Sequence, residues 1–210
     1  MKRIIALFLC ICSMLLITSC GTKFPEKIGE YSIKVSKAPT NYVAIFMKDG
    51  GAMLIELYPD QAPETVENFK KLVSEKYYDG VTFHRVMSGF MIQGGDPDGD
   101  GRSNGDKPTI KGEFSLNGFN NTIKHERGVI SMARTAYDYN SASTQFFIVH
   151  KTTASNSASL DGQYASFGKM LAGFETLDRI ASVRTNASNN KPVQNQTMKA
   201  VRFVTIEKGE

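Results

Sequence analysis

The stretch from Phe83 to Asp96, F-H-R-V-M-S-G-F-M-I-Q-G-G-D, places one arginine, Arg85, within eight residues of Phe90, Met91 and Gln93. Because side chains alternate along a strand, Phe83, Arg85 and Met87 are expected on one face and His84 and Val86 on the other, so the guanidinium shares a face with apolar neighbours. An arginine is rarely enclosed without a partner. Residue types alone leave two readings open. The charge is a strut paired with a carboxylate, which is the commoner use, or a donor presented to a ligand.

Other groups that could do chemistry are weaker candidates. The run D-P-D-G-D-G from Asp96 to Gly101 begins like a calcium loop, but its twelfth position is Lys107, where a bidentate Glu is needed, so a solvated loop is expected. His84, His125 and His150 fit no zinc spacing and have no thiolate to join them; His84 is expected to be a satisfied barrel histidine. A Ser/His/Asp triad lacks a G-x-S-x-G elbow to carry its nucleophile. No metal and no cofactor is expected.

The elements that must position Arg85 are read from periodicity. Residues 42–48 and 52–58 are β-rich runs split by Asp49-Gly50-Gly51, a hairpin signal. Pro63 suits a helix's first turn, Glu64 and Glu67 its positive end, and Val66, Phe69, Leu72 and Val73 recur on one face, which predicts a helix over 63–76. Strands are predicted over 129–134, 144–149, 165–170 and 200–206, a turn at 160–163, and a short helix over 174–181 with Leu177 and Ile180 inward. Phe69, Phe114, Phe146 and Phe203 are assigned to the core. Seven or eight strands with two helices and no repeat suggest one closed antiparallel barrel, mainly β.

The N-terminus belongs to a different kind of structure. Lys2 and Arg3 precede a 14-residue apolar run, Ile4 to Ile17, too short to span a bilayer and typical of a signal peptide. Ile17-Thr18-Ser19-Cys20 then resembles a bacterial lipobox, which implies that residues 1–19 are removed and that Cys20 is acylated. Residues 20–40 are expected to form the lipidated cysteine and a flexible tether, and 41–210 the folded domain. All three cysteines lie at or before position 20, so the exported part has no disulfide framework and relies on its core, which about 170 residues can supply. Without Lys2 and Arg3 the chain has 23 basic and 21 acidic side chains, a balance of +2 that is no footprint for nucleic acid.

Taken together, F-H-R-V-x-x-G-F-M-I-Q-G-G-D, S-M-A-R, T-Q-F-F-I and L-D-G-Q-Y-x-x-F-G-K, in this order, resemble the cyclophilins, peptidyl-prolyl cis/trans isomerases. The resemblance runs from about Tyr42 to Lys208. It implies an eight-stranded antiparallel β-barrel capped by two α-helices, with the active groove on the barrel's outer face. Carried onto this chain, it makes Arg85 the catalytic donor and Gln93 a group that holds the substrate backbone; a guanidinium fork needs orienting, and Gln93 is the expected partner for that as well. The resemblance makes Phe90, Met91, Phe147 and Leu160 the walls of a proline pocket, and Ala133, Arg134, Gln145 and Tyr164 further substrate contacts. Ser159 stands where many members carry a tryptophan and Tyr164 where many carry a histidine; the first change removes an indole donor used by cyclosporin, so weak binding of that drug is expected. The implied function is a monomeric, lipid-anchored isomerase acting on proline-containing segments of exported or unfolded proteins. The alternative is a binding module in which the same groove captures such segments and turnover is incidental.

Overall fold

The computed structural model describes residues 23–102 and 104–209. The signal peptide and Cys20 expected from the sequence lie outside the described residues.

In chain order the strands are β1 (Lys27–Ile28), β2 (Tyr31–Val35), β3 (Tyr42–Met47), β4 (Ala52–Leu57), β5 (Thr82–Met87), β6 (Met91–Gly94), β7 (Val129–Met132), β8 (Phe146–Val149), β9 (Ser166–Ala172) and β10 (Gln196–Lys208). The helices are α1 (Pro63–Ser74), α2 (Ala154–Leu160) and α3 (Phe174–Ala181). Eight strands pair in the cyclic order β10-β3-β4-β9-β7-β8-β6-β5, and the ring closes where Gln196 and Thr197 of β10 meet Phe83 and Thr82 of β5. The result is a closed antiparallel barrel, as expected, and closure leaves the ring without an exposed edge. β10 is longer than its apolar run suggests because it pairs in succession with β5, β3 and β2.

One hydrophobic cluster fills the barrel and its ends. Phe69 of α1 packs among Tyr78, Phe146 and Phe167 with ring centroids 5.1 to 5.7 Å apart. Phe114 and Phe203 join the same cluster, and Leu177 and Ile180 of α3 reach it from the other side. The residue before α1, Ala62, has no side chain to cap it. The buried carboxylate of Glu113 does this instead, accepting from the N–H groups of Glu64 and Thr65 at 3.1 and 2.8 Å, where the helix's positive end favours an anion.

Four expectations are corrected. The segment read as a tether carries β1 and β2, which add to the sheet along β10. Ile28 and Ile33 are buried there, and Phe24 stacks on Phe46 with centroids 4.3 Å apart. These side chains cover the outer face of β3, β4 and β10, whose apolar residues would otherwise be wet. Among the described residues there are three helices: the two expected, α1 and α3, and an additional one, α2. The run A-S-N-S-A-S-L of α2 has one buried residue, Leu160, so it shows no apolar stripe, and its start is set by the Thr153 hydroxyl accepting from Asn156 N–H. The strand carrying Arg85 does not alternate simply. Pairing of β5 with β6 slips between Phe83 and Arg85, a bulge at His84 that sends both Phe83 and Val86 into the barrel and leaves Arg85 and Met87 outside. Finally, the loop from Asp96 to Gly101 is solvated only in part: Pro97, Asp98, Asp100 and Gly101 are exposed, but Asp96 is buried and its carboxylate accepts from the N–H groups of Asp98, Asp100 and Gly101.

Candidate active site

The bulge sets the frame of the site. With Arg85 outside, the register of β5, β6, β8 and β7 lines up Arg85, Gln93, Phe147 and Ser131 as one transverse row across the barrel's outer face. Arg85 Nη1 donates to Gln93 Oε1 at 3.0 Å, and Gln93 Nε2 donates to Gln145 Oε1 at 3.0 Å. The second arm, Nη2, meets the Met87 sulfur at 3.0 Å. Among the described residues no carboxylate lies within ion-pair distance of Arg85. The strut reading therefore fails. Burial pulls the Arg85 guanidinium below its ordinary value, opposed by the Tyr164 hydroxyl, yet an arginine in a protein keeps its proton.

Beside this donor lies a cavity of about 800 Å³, within the size of sites that hold small ligands. Phe90, Met91, Phe147 and Leu160 line it, and they belong to an apolar cluster separate from the barrel core. The side chains expected as pocket walls are thus brought together next to Arg85. Ala133, Arg134 and Tyr164 line the same cavity, whereas Gln145 lines an adjoining one of about 390 Å³ that shares Gln93, Ala133 and Arg134. The groove is therefore longer than one proline ring. Arg134 reaches it as a fixed wall. Its guanidinium lies 4.5 Å from the Tyr164 ring centre and 4.8 Å from that of Tyr139, and it donates to the carbonyls of Gln163 and Thr135.

Under Phe147 is a polar support that the sequence did not reveal. The His125 ring stacks on Phe147 at 5.9 Å, with Nδ1 3.0 Å from Asp161 Oδ1 and Nε2 3.0 Å from Ser131 Oγ. A Ser, a His and an Asp do meet here. Ser131 and His125 are both buried, so no substrate reaches the hydroxyl, and the trio serves to hold the slot's inner wall. His125 and Ser131 are six residues apart and Asp161 is 36 beyond His125, and no single motif spans the three. Also unforeseen are the loop residues Asn189 and Lys191, which close one end of the cavity; Lys191 Nζ donates to the Gly99 carbonyl at 2.7 Å.

His84 departs from expectation as well. It is buried beside the groove, but neither ring nitrogen has a hydrogen-bond partner among the described residues. Burial lowers its pKa, an effect that Asp96 opposes and Lys191 and Arg85 reinforce; burial likewise lowers that of His125 against the pull of Asp161. Both rings stay neutral in the fold after the unfolded chain, titrating near 6.5, has taken up its protons. Stability is then full above about pH 6.5 and falls as pH drops below it, because the unfolded state binds more protons, until the folded-state values are passed. Urea unfolding at pH 7.5, 6.5 and 5.5 should show a loss of up to about 1.4 kcal/mol per pH unit for each ring. A flat profile across that window would contradict the two neutral histidines.

Comparison with known proteins follows the same lines. Residues 42–203 match the family model described as cyclophilin type peptidyl-prolyl cis-trans isomerase/CLD. Peptidyl-prolyl cis-trans isomerase ppi1 of Schizosaccharomyces pombe is 39% identical over 157 residues, covering 74% of this chain and 94% of its own length. Peptidyl-prolyl cis-trans isomerase B of Bacillus subtilis is 44% identical over 129 residues, 61% of this chain and 82% of its own. Other relatives are longer: the chain spans 25% of the isomerase-like 2 protein of Cryptococcus neoformans, at 39% identity. Among solved structures, a cyclophilin type isomerase of Cryptosporidium parvum, crystallised in the presence of dipeptide Ala-Pro, superposes with a TM-score of 0.67 at 30% identity, covering 77% of this chain and 98% of that one.

Proposed function

Because the chain belongs to the cyclophilin-type peptidyl-prolyl cis-trans isomerase family, we propose that it accelerates rotation about X-Pro bonds by means of Arg85, acting on exported proteins as they fold. The uncatalysed barrier is about 18–20 kcal/mol because the amide nitrogen's lone pair is delocalised into the carbonyl, which makes X-Pro isomerisation take tens to hundreds of seconds. No covalent bond forms or breaks. At the twisted transition state the delocalisation is lost, and the prolyl nitrogen becomes a hydrogen-bond acceptor. An Arg85 donor meets that acceptor in the twisted state far better than in either planar state, and only such differential binding lowers the barrier.

The slot formed by Phe90, Met91, Phe147 and Leu160 holds the proline ring, while groups along the second cavity hold the residues before it. One side of the bond stays fixed as the other turns. A dry slot also keeps water from solvating the carbonyl in its planar form. The observation that carries the reading is a guanidinium with no carboxylate partner among the described residues, braced by Gln93 at the lip of an apolar cavity.

The lipobox-like Ile17-Thr18-Ser19-Cys20 supports placing this domain outside the cytoplasm, anchored to a membrane by acyl chains on Cys20, with the isomerase acting as a monomer. Residues 21–210 should accelerate cis-to-trans conversion of an Ala-Ala-Pro-Phe anilide, read by a protease that cleaves one isomer. A rate equal to the uncatalysed one at micromolar protein would overturn the proposal.

A further inference from the structure

The turn that carries Phe90 is held from outside the groove by a histidine with no role above. Met87 to Phe90 connect β5 to β6, with the Phe90 N–H donating to the Met87 carbonyl at 2.9 Å and Gly89 at φ 77°. At this corner the Gly89 N–H donates to Nδ1 of His150 at 3.1 Å. The ring's other nitrogen is 3.1 Å from Oδ1 of Asp178 on α3. A carboxylate accepts, so Nε2 carries the proton and Nδ1 turns its lone pair toward Gly89. Arg127 fixes the far side, donating to Asp178 Oδ1 and to the His150 carbonyl, each at 2.7 Å. The His150 main-chain N–H also donates to the Phe90 carbonyl at 2.8 Å. One residue thus grips the turn through both ring and backbone.

We propose that His150 is a positioning residue of the proline slot: its ring, oriented by Asp178, holds Gly89 and thereby sets the wall that Phe90 presents to a bound proline. The inference rests on the groove being the peptide site. A wall held in place contacts planar and twisted prolines alike, so loosening it weakens binding and leaves the rotation step itself little changed. A histidine that served stability alone would alter melting and not affinity.

The test reads the Kd of an Ala-Ala-Pro-Phe peptide by titration, beside kcat and KM. In His150→Phe, which keeps a ring but removes the acceptor, Kd and KM should rise roughly three- to tenfold, the range for one net hydrogen bond, with kcat changed by less than about twofold. His150→Asn sets an amide oxygen near the place of Nδ1 and should return both constants to within about twofold of the unmutated protein. In the unmutated protein the Gly89 amide should exchange slowly with solvent, a measurement that needs no variant to fold. An unchanged Kd in His150→Phe, equal losses in both variants, or a freely exchanging Gly89 amide would each overturn the inference. Absent turnover in the unmutated protein would instead overturn the isomerase reading, and the peptide Kd separates the two.

Discussion

Replacing Arg85 by alanine is expected to lower kcat/KM by about 10²- to 10³-fold, the effect of removing one preorganised donor to a transition state. The loss should appear in kcat and kcat/KM alike, because the interaction with the prolyl nitrogen exists only when the amide is twisted. The barrel should survive the change. Arg85 lies on the outer face, only partly buried, and takes part in no ion pair among the described residues, so no buried charge is orphaned when it goes. Arg85→Lys is expected to recover little, since an ammonium on a flexible stem lacks the planar fork that Gln93 and Met87 brace from two sides. Peptide affinity measured alongside turnover settles the competing reading. Affinity kept with turnover lost identifies catalysis as the task of the groove, whereas turnover kept in Arg85→Ala would remove the basis for the mechanism.

The second large effect concerns the strands ahead of the barrel. Deleting residues 21–36 should lower the melting temperature by about 10 °C or more, on the scale of 2–4 °C per kcal/mol for a domain of this size. Ile28 and Ile33 are buried, and Phe24 stacks on Phe46. Burying each such side chain is worth about 1.5–3 kcal/mol, so their removal approaches the low end of a domain's whole stability. The deletion also strips five paired residues from β10 and exposes the Phe46, Leu54 and Val204 surface, so concentration-dependent aggregation should accompany the lower melting point. A melting temperature unchanged in residues 37–210 would show that this layer contributes nothing to the fold.

The same segment marks where sequence reading failed and why. Tyr31, Ile33 and Val35 do alternate, but the run is short and set among Lys, Glu, Gly and Pro, so composition outweighed a five-residue period. The hairpin of β3 and β4, α1 and α3 were legible because each carries its own periodicity and punctuation. α2 was not, since serine and alanine dominate it and its one anchor, Leu160, cannot define a face. The bulge at His84 has no local signature, yet a slip of one residue reverses which side chains face inward, and simple alternation put Phe83 on the wrong side. The groove residues Arg85, Phe90, Met91, Gln93, Phe147 and Leu160 were reached through resemblance, and the fold does assemble them. The supports behind them, such as His125 with Asp161 and Ser131 or His150 with Asp178 and Gly89, join positions 6 to 61 residues apart and become visible once the chain is closed on itself.

Phe24 already belongs to the packed body, which leaves three residues between it and Cys20. At about 3.5 Å per residue such a leash is no longer than roughly 15 Å, so an acylated Cys20 would moor the barrel almost against the lipid headgroups. The side so moored would be the β3, β4 and β10 arc, and the groove opens from the β5, β6, β8 and β7 arc across the ring. A chain so berthed would face its clients outward, sampling the thin layer of solution where newly exported polypeptides leave the membrane.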